Sequence, residues 1–102
     1  MFRGILSTIY IDLNYGVTIK KLEKLLKKSY SKSKFVKIMK SNSLISTNDV
    51  INTNNCHLSI CKTKYKNRVI ILSVIDNLIK GGAGQAIQNM NLRFNFPTNK
   101  GL

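Results

Sequence analysis

The chain has 102 residues, enough for one small domain with a modest core, and its hydrophobic fraction of 43% argues against wholesale disorder. The formal net charge of +13 predicts attraction to polyanions at low salt. Lysine supplies most of this charge, and lysine, asparagine and isoleucine are all over-used, so genome composition explains it without a selected partner. Arginine, the better reader of phosphates and bases, occurs only three times. We therefore predict no specific nucleic-acid partner.

The sequence also argues against a membrane or secreted protein. No run reaches the roughly 18 apolar residues that a membrane span requires. The apolar stretch 4–13 follows the charge of Arg3, is broken by that of Asp12 and lacks a small-residue cleavage site, so it is not expected to be a signal peptide. Cys56 and Cys61 do not form a Cys-x-x-Cys pair, and a short secreted domain normally carries more cysteines. We expect a cytoplasmic protein with no membrane partner.

The first third of the chain predicts a strand and an amphipathic helix. Residues 5–13 combine β-branched side chains with alternating polar positions, which is typical of a strand, and residues 14–16 form a turn. Thr18 is a candidate N-cap for a helix that begins at Ile19. The apolar side chains that should cover a sheet while the lysines face water are Ile19, Leu22, Leu25, Leu26 and Tyr30.

The middle of the chain predicts two more strands separated by a loop. Residues 35–39 alternate apolar and polar side chains and indicate a short strand. Residues 40–55 are rich in serine, asparagine and threonine and indicate a long loop, with a possible short extended piece at 49–51. Residues 54–61 alternate again and predict a strand.

The last third predicts a buried strand followed by a helix. Residues 68–75 are the most hydrophobic segment and should form a central strand. A helix is expected over 82–94, with an apolar face made of Ala83, Ile87, Met90 and Phe94. The element order predicts an α+β fold, with a mixed, mostly antiparallel sheet and helices on one face.

The titratable side chains do not assemble a recognisable catalytic or metal centre. His57 and Cys56 are neighbours along a strand, so their side chains should point to opposite faces. Together with Cys61 they offer too few ligands at a suitable spacing for a metal. We predict no catalytic residue and no metal site here, two buried thiols, and a histidine that is exposed or hydrogen-bonded.

The most informative segment joins the buried strand to the last helix. Asp76 ends the strand and is expected to orient or cap the following turn. Residues 82–87 nearly match the Gly-x-Gly-x-x-Gly/Ala dinucleotide fingerprint, but the sixth position is Ile87 and no ribose-binding strand follows. The small residues either leave free N–H groups open to an anionic or flat ligand or allow close packing of the helix on a sheet.

Residues 76–91 resemble the C-terminal stretch of N-acetyl-γ-glutamyl-phosphate reductases, which are NADPH-dependent acyl-phosphate reductases of arginine biosynthesis. They read Asp-Asn-Leu-Ile-Lys-Gly-Gly-Ala-Gly-Gln-Ala-Ile-Gln-Asn-Met-Asn. Weaker matches in the same order extend the resemblance over nearly the whole chain, at residues 3–10, 16–18, 55–58, 93–94 and 101–102.

Other parts of the family pattern are missing. The family's nucleophile lies in Ser-Asn-Pro-Gly-Cys, whereas the only proline here is Pro97. Its His-x-His segment and its Rossmann domain also have no counterpart. The resemblance therefore implies that residues 1–102 form a single partial domain from the substrate and dimerisation region, similar to part of the C-terminal domain of glyceraldehyde-3-phosphate dehydrogenase.

The resemblance also implies a role for this segment in the whole enzyme. Gln85 is the candidate contact for the nicotinamide carboxamide or ribose of NADP, and Lys80 and Gly81 are further candidates near the cofactor or the acyl phosphate. We expect a homo-oligomer, and we expect this chain alone to lack turnover and stable NADP binding. The alternative is a non-enzymatic basic module that binds nucleic acid or associates with itself.

Overall fold

The computed structural model describes residues 2–102, in which one sheet and two α-helices account for the regular structure. A short 3₁₀ turn at Thr47–Asp49 and a wide π-type turn at Ile79–Ala83 accompany them. The strands and helices, in chain order, are β1 (Ile5–Asp12), α1 (Ile19–Ser29), β2 (Val36–Ile38), β3 (Cys56–Lys62), β4 (Arg68–Ile75) and α2 (Gly84–Arg93).

The four strands form one mixed sheet in the order β1-β4-β3-β2. β4 is antiparallel to both of its neighbours, β1 and β3, whereas β2 is parallel to β3. β1 and β2 are therefore the two edges of the sheet, and α1 connects them. The predicted α+β class, the mixed and mostly antiparallel sheet and the central position of residues 68–75 are all confirmed.

α1 covers one face of the sheet and begins where the sequence predicted. The hydroxyl of Thr18 accepts a hydrogen bond of 3.2 Å from the backbone N–H of Lys21, which confirms it as the N-cap. The helix side chains that meet the sheet are Ile19, Leu22 and Leu26, and they pack against the buried residues Ile60, Val69 and Ile71.

Two residues predicted for this contact lie outside it. Leu25 is 58% exposed because it is turned away from the stripe through positions 19, 22 and 26, and that narrow stripe alone reaches the sheet. Tyr30 is 40% exposed because it is the C-cap residue, beyond the last helical turn. The prediction is wrong for these two side chains.

The irregular segment 40–54 covers part of the opposite face of the sheet. Ile45 and Val50 are buried against Val74, with Met39 and Leu72 packed around them. Successive side chains of β4 point to opposite faces of the sheet, so Val74 and Leu72 point away from the face that α1 covers. A polar loop therefore supplies the second layer of the core.

The extended piece predicted at residues 49–51 is absent, and a 3₁₀ turn stands in its place. The hydroxyl of Ser46 accepts a hydrogen bond from the backbone N–H of Asn48, while the carboxylate of Asp49 accepts one from the backbone N–H of Ser46. This reciprocal capping box favours a tight turn over an extended strand.

We expect Val50→Ala to lower the free energy of unfolding by about 2 kcal/mol, because Val50 is fully buried and the loop cannot fill the space that is left. Leu44→Ala, at a neighbouring position that is 91% exposed, should change it by less than about 0.5 kcal/mol. Chemical denaturation measures both. Equal effects would contradict the packing of this loop on the sheet.

α2 lies beyond the end of the sheet, and its predicted apolar face is largely exposed. It begins at Gly84 rather than at residue 82. Met90 and Phe94 are 48% and 64% exposed, Ala83 is exposed as well, and only Ile87 is half-buried. The prediction of a packed apolar face is wrong because the helix starts past the last paired residue of β4 and does not turn back over the sheet.

Asn91 fixes the chain that follows α2. It is fully buried, and its side-chain amide donates to the carbonyl oxygens of Thr98 and Lys100 at 3.0 and 2.9 Å. The carbonyl of Asn91 also accepts from the N–H of Phe96 at 2.8 Å. Hydrogen bonds from a buried polar residue therefore position residues 95–102, and the hydrophobic pattern of the sequence does not predict this contact.

Candidate functional site

Asp76 organises the turn between β4 and α2. Its carboxylate accepts backbone N–H hydrogen bonds from Leu78 at 2.9 Å, from Ile79 at 3.2 Å and, across the fold, from Asn52 at 2.8 Å. The guanidinium of Arg3 binds both carboxylate oxygens, at 3.0 and 2.8 Å. The predicted capping role of Asp76 is confirmed, and the same side chain also ties the turn to the start of β1 and to the 40–54 loop.

Hydrogen bonds determine the ionisation of this buried carboxyl. Burial opposes ionisation, but the backbone N–H groups of Asn52 and Leu78, the side chain of Arg3 and the N–H of Ile79 outweigh it and lower the pKa of Asp76 to about 2. The group is therefore a carboxylate at neutral pH. It serves as an acceptor for fixed donors and does not supply a proton.

The stability of the fold should consequently fall in acid. A lowered native pKa stabilises the protein above the unfolded pKa of about 3.9 and loses that contribution as pH falls toward 2. Urea denaturation at several pH values measures this dependence. The double variant Asp12→Asn/Glu23→Gln removes the exposed carboxyl of Asp12 and the half-buried carboxyl of Glu23, whose pKa values are also lowered. Its free energy of unfolding should still fall in acid by most of the amount seen for the unaltered chain. A flat profile in that variant between pH about 4 and 2 would contradict the account.

The wide turn uses N–H groups that would be free in one of the two alternatives that the sequence left open. The N–H groups of Gly81, Ala83 and Gly84 donate to the carbonyl oxygens five residues earlier, at Asp76, Leu78 and Ile79. A kink at Gly82, whose backbone dihedral angles are not helical, lies within this turn. These three donors are therefore satisfied internally, and they do not form an anion-binding helix end.

Close packing is instead what the small residues permit. A Cβ atom at Gly84 would lie 2.7 Å from both Cγ2 and the carbonyl oxygen of Ile79 and would also collide with Oδ1 of Asn54. Such distances are far below van der Waals contact. Of the two alternatives that the sequence left open at this turn, close packing is the one that the structure has at Gly84.

Lys80 holds α2 against the rest of the domain. Its ammonium donates to Oε1 of Gln88 at 2.7 Å, and the side-chain amide of Asn54 donates to the same oxygen at 3.0 Å. The Lys80 nitrogen also lies 5.3 Å from the centre of the Phe35 ring, within cation–π distance. Burial lowers the pKa of Lys80, so its charge sits in a poorly solvated position and depends on these partners.

The three residues singled out for cofactor contact do not form one cluster. Gly81 lies inside the turn, where a Cβ atom would be 3.3 Å from Cδ1 of Ile75. Gln85 lies on the outer side of α2, and its amide donates to Oδ1 of Asn89 at 2.9 Å on the exposed surface. Lys80 faces inward, so only Gln85 presents its functional group to an approaching partner.

A groove of about 560 Å³ lies between the 52–55 segment and the start of α2. Phe35, Ile79 and Ile87 supply apolar walls. Asn54 lines it too, is only 6% exposed and has a side-chain oxygen without a hydrogen-bond partner among residues 2–102. Neither Lys80, Gly81 nor Gln85 lines it. Sequence reasoning missed this groove because segments distant in sequence meet there and none of them carries a recognisable motif.

His57 is buried and makes no hydrogen bond through either ring nitrogen within residues 2–102, so the prediction of an exposed or hydrogen-bonded side chain is wrong. The physical reason is the 40–54 loop, which covers this face of the sheet. Burial and then the charge of Lys37 lower the pKa of His57, against a smaller opposing effect of Asp49. The imidazole is therefore neutral at physiological pH.

The two thiols are free and half-buried rather than fully buried. Sγ of Cys56 lies 3.6 Å from the hydroxyl oxygen of Ser73, not near His57. Across residues 2–102, no three histidine, cysteine or acidic side chains come close enough together to hold a metal ion. In the same range, no helix is both long and apolar enough to cross a membrane.

A family model for the dimerisation domain of semialdehyde dehydrogenases matches residues 1–77, which include all four strands, α1 and the Asp76 carboxylate. The chain belongs to this family. The matched span ends just before the wide turn, so α2 lies outside the family model. The family assignment agrees with the α+β fold and with the resemblance found in the sequence.

Curated relatives extend the similarity to the whole chain. The chain is 47% identical to an N-acetyl-gamma-glutamyl-phosphate reductase of Vesicomyosocius okutanii and 46% identical to one of Acinetobacter baylyi, each over all 102 residues. A probable chloroplastic N-acetyl-gamma-glutamyl-phosphate reductase of Arabidopsis thaliana is 42% identical over the same length. The chain spans 25–29% of the length of these relatives. Similarity therefore includes α2 and the tail as well as the dimerisation domain.

Proposed function

We propose that residues 1–102 are the C-terminal part of an N-acetyl-γ-glutamyl-phosphate reductase, which reduces the acyl phosphate to N-acetylglutamate semialdehyde and releases phosphate. The observation that carries this proposal is identity of 42–47% across all 102 residues to reductases of that name. The Rossmann domain, the nucleophilic cysteine and the catalytic histidine would lie in the part of the enzyme that this chain does not match. The chain by itself should have no turnover.

NADP is the proposed cofactor of the whole enzyme, and it would supply the hydride. One side chain on α2 suits the nicotinamide part of this cofactor. The carboxamide of Gln85 both donates and accepts, which suits the amide of a nicotinamide ring, and its contact with Asn89 fixes its direction on the exposed side of the helix. We propose Gln85 as the direct contact, with Gly81 and Lys80 shaping the turn behind it.

The hydrogen bonds that hold Gln88 support the assignment of Gln85 as the direct contact. Lys80 and Asn54 together hold Gln88 from the inner side of α2, so the outer side faces away from the sheet. A second domain approaching that outer side would meet the amides of Gln85 and Asn89, which are hydrogen-bonded to each other on the exposed surface. Cofactor sites commonly lie between domains, and this helix is available for such a contact. We propose a cytoplasmic location for the enzyme, and the free thiols of Cys56 and Cys61 support it because free thiols persist in a reducing compartment.

A chimera tests the function directly. The last segment of the Acinetobacter baylyi reductase, matched by this chain at 46% identity, would be replaced by residues 1–102. In an active chimera, Gln85→Ala should raise KM for NADPH about tenfold, the cost of one lost hydrogen bond to a polar ligand group. Asn48→Ala removes an exposed amide in the 40–54 loop and serves as the matched control. Equal KM values for the two variants would overturn the role of Gln85.

We also propose that the domain pairs with a second copy through β1. This strand is an edge of the sheet, and its outer backbone groups have no strand partner within residues 2–102. Apolar side chains are exposed on both of its faces, with Leu6 at 47%, Ile9 at 44% and Tyr10 at 67%. An uncovered edge that carries such side chains is suited to self-association.

Tyr10→Lys should weaken this association at least about 100-fold, because an unpaired ammonium would have to be buried in the interface. Tyr10 is mostly exposed, so the fold of the single chain should be unaffected. Light scattering over a concentration series measures the oligomeric state. Leu44→Lys, which introduces the same charge at an exposed loop position, should leave it unchanged. Loss of the dimer in both variants would contradict a β1 interface.

A further inference from the structure

Basic side chains gather at the end of the sheet opposite Asp76. β4 runs from Arg68 at this end to Ile75 beside the candidate site, so the two ends are separated by roughly 25 Å. The β3–β4 hairpin and the turn that leads into α1 meet here, where the backbone N–H of Leu13 donates to the carbonyl of Asn67 at 2.6 Å. We define the basic end as Tyr15, Lys21, Lys62, Lys64, Tyr65 and Lys66.

The positive charge of the basic end is not neutralised within the fold. The three ion pairs among residues 2–102 join Asp76 to Arg3, Glu23 to Lys27 and Asp12 to Arg68. The fourth carboxylate, that of Asp49, accepts from the backbone of Ser46 in the 40–54 loop. The lysines of the basic end are exposed and none of them pairs with a carboxylate.

Two exposed tyrosines lie among these lysines. Tyr15 is fully exposed in the turn before α1, and it shares a hollow of about 660 Å³ with Lys66. Tyr65 is half-exposed at the hairpin, with the Lys64 ammonium 5.1 Å and the Arg68 guanidinium carbon 5.7 Å from its ring centre. Flat rings flanked by cations provide the two elements that bind an unpaired base and its phosphate.

We propose that the basic end binds single-stranded nucleic acid without sequence preference, with lysines on the phosphates and Tyr15 and Tyr65 stacking on bases. A duplex keeps its bases inside the helix, and an anionic membrane offers charge but no ring to stack on, so the tyrosines favour a single strand. Arg68 is the only arginine there, and it is engaged by Asp12 at 2.6 Å, so no free guanidinium is left to read base edges. This activity is separate from the proposed reductase function.

The experiment measures fluorescence anisotropy of a labelled single strand of about 12 thymidines with the 102-residue chain at about 0.15 M salt. Lys64→Gln/Lys66→Gln should weaken binding about tenfold and reduce the slope of log Kd against log salt by about 1.4. Lys28→Gln/Lys32→Gln removes the same charge at the far end of α1, roughly 15 Å away, and should weaken binding less than threefold, about the effect of long-range charge alone.

The aromatic contribution is tested separately. Tyr15→Ala/Tyr65→Ala should weaken binding to the oligonucleotide about tenfold and leave binding of inorganic polyphosphate unchanged. Tyr15→Phe/Tyr65→Phe should restore binding of the oligonucleotide, because the rings are kept. Equal losses of affinity in the two lysine double variants would mean that only the net charge of the chain matters, and this result would overturn the proposal. So would tyrosine variants that bind normally, or preferential binding to vesicles rich in phosphatidylserine.

Discussion

Asp76→Asn should lower the melting temperature by more than about 10 °C, the largest effect expected of any single substitution in this fold. The substitution keeps the shape of the side chain but removes its charge and replaces one acceptor oxygen by a donor. Three backbone N–H groups and the guanidinium of Arg3 now converge on that carboxylate, and an amide cannot accept all of them. Arg3 would also keep a charge that is only partly exposed and has lost its partner.

Thermal unfolding followed by circular dichroism measures this effect. Asp12→Asn is the matched control, because it removes the same charge from an ion pair with Arg68 that lies on the surface. Surface pairs contribute little, so we expect its melting temperature to change by no more than about 3 °C. A similar change in the two variants would contradict the view that Asp76 connects β4, the 40–54 loop and the start of β1.

Gly84→Ala should be the second most damaging change, with a loss of about 5–10 °C in melting temperature and faster amide exchange throughout α2. The added methyl group would lie 2.7 Å from the carbonyl oxygen of Ile79, and a backbone atom cannot move aside as a side chain can. The start of α2 must shift, which strains the contacts of Gln88 with Asn54 and Lys80.

Gly81→Ala provides the comparison for this effect. At this position the nearest atom to the new methyl is Cδ1 of Ile75 at 3.3 Å, the end of a side chain that can rotate. We expect a change of less than about 3 °C in melting temperature and unchanged exchange in α2. Hydrogen exchange resolved by residue distinguishes local release of α2 from global unfolding. Normal exchange over α2 in Gly84→Ala would contradict the close packing described here.

Local rules were sufficient for α1 and for the strands. The hydroxyl of Thr18 and the apolar spacing at 19, 22 and 26 act within a few residues, so the sequence alone predicts both the start of the helix and the side that it buries. The continuous apolar run at 68–75 predicts a strand with neighbours on both sides, and β4 lies between β1 and β3. The error at Leu25 arises from the narrow width of the contact between the helix and the sheet, and the error at Tyr30 arises from its C-cap position beyond the last helical turn.

Long-range contacts explain what the sequence did not predict. The 40–54 loop looked solvated because its composition is polar, yet Ile45 and Val50 turn inward onto Val74. Burial of His57 follows from that contact and not from any property of its own strand. α2 has a helical apolar pattern, but the sheet ends before the helix begins, so Met90 and Phe94 stay exposed.

In the candidate site too, the sequence predicts the local contacts and not the long-range ones. Asp76 at the end of a strand, followed by small residues, indicates a capped turn, and its local N–H contacts are those expected. The hydrogen bonding over five residues at Gly81, Ala83 and Gly84 has no sequence signature, so the sequence could not decide between a free helix end and close packing. The groove beside Asn54 requires four separate segments to meet and is visible only in three dimensions.

Turnover of the chimeric reductase is the measurement that tests the central claim most directly. The Acinetobacter baylyi enzyme with residues 1–102 in place of its matching segment should form NADPH from N-acetylglutamate semialdehyde, phosphate and NADP in the reverse direction. We expect kcat/KM within about tenfold of the parent, a loss of no more than about 1.4 kcal/mol in transition-state stabilisation. A chimera that folds and forms the parent's oligomer but has no measurable turnover would contradict the assignment of this chain to the reductase.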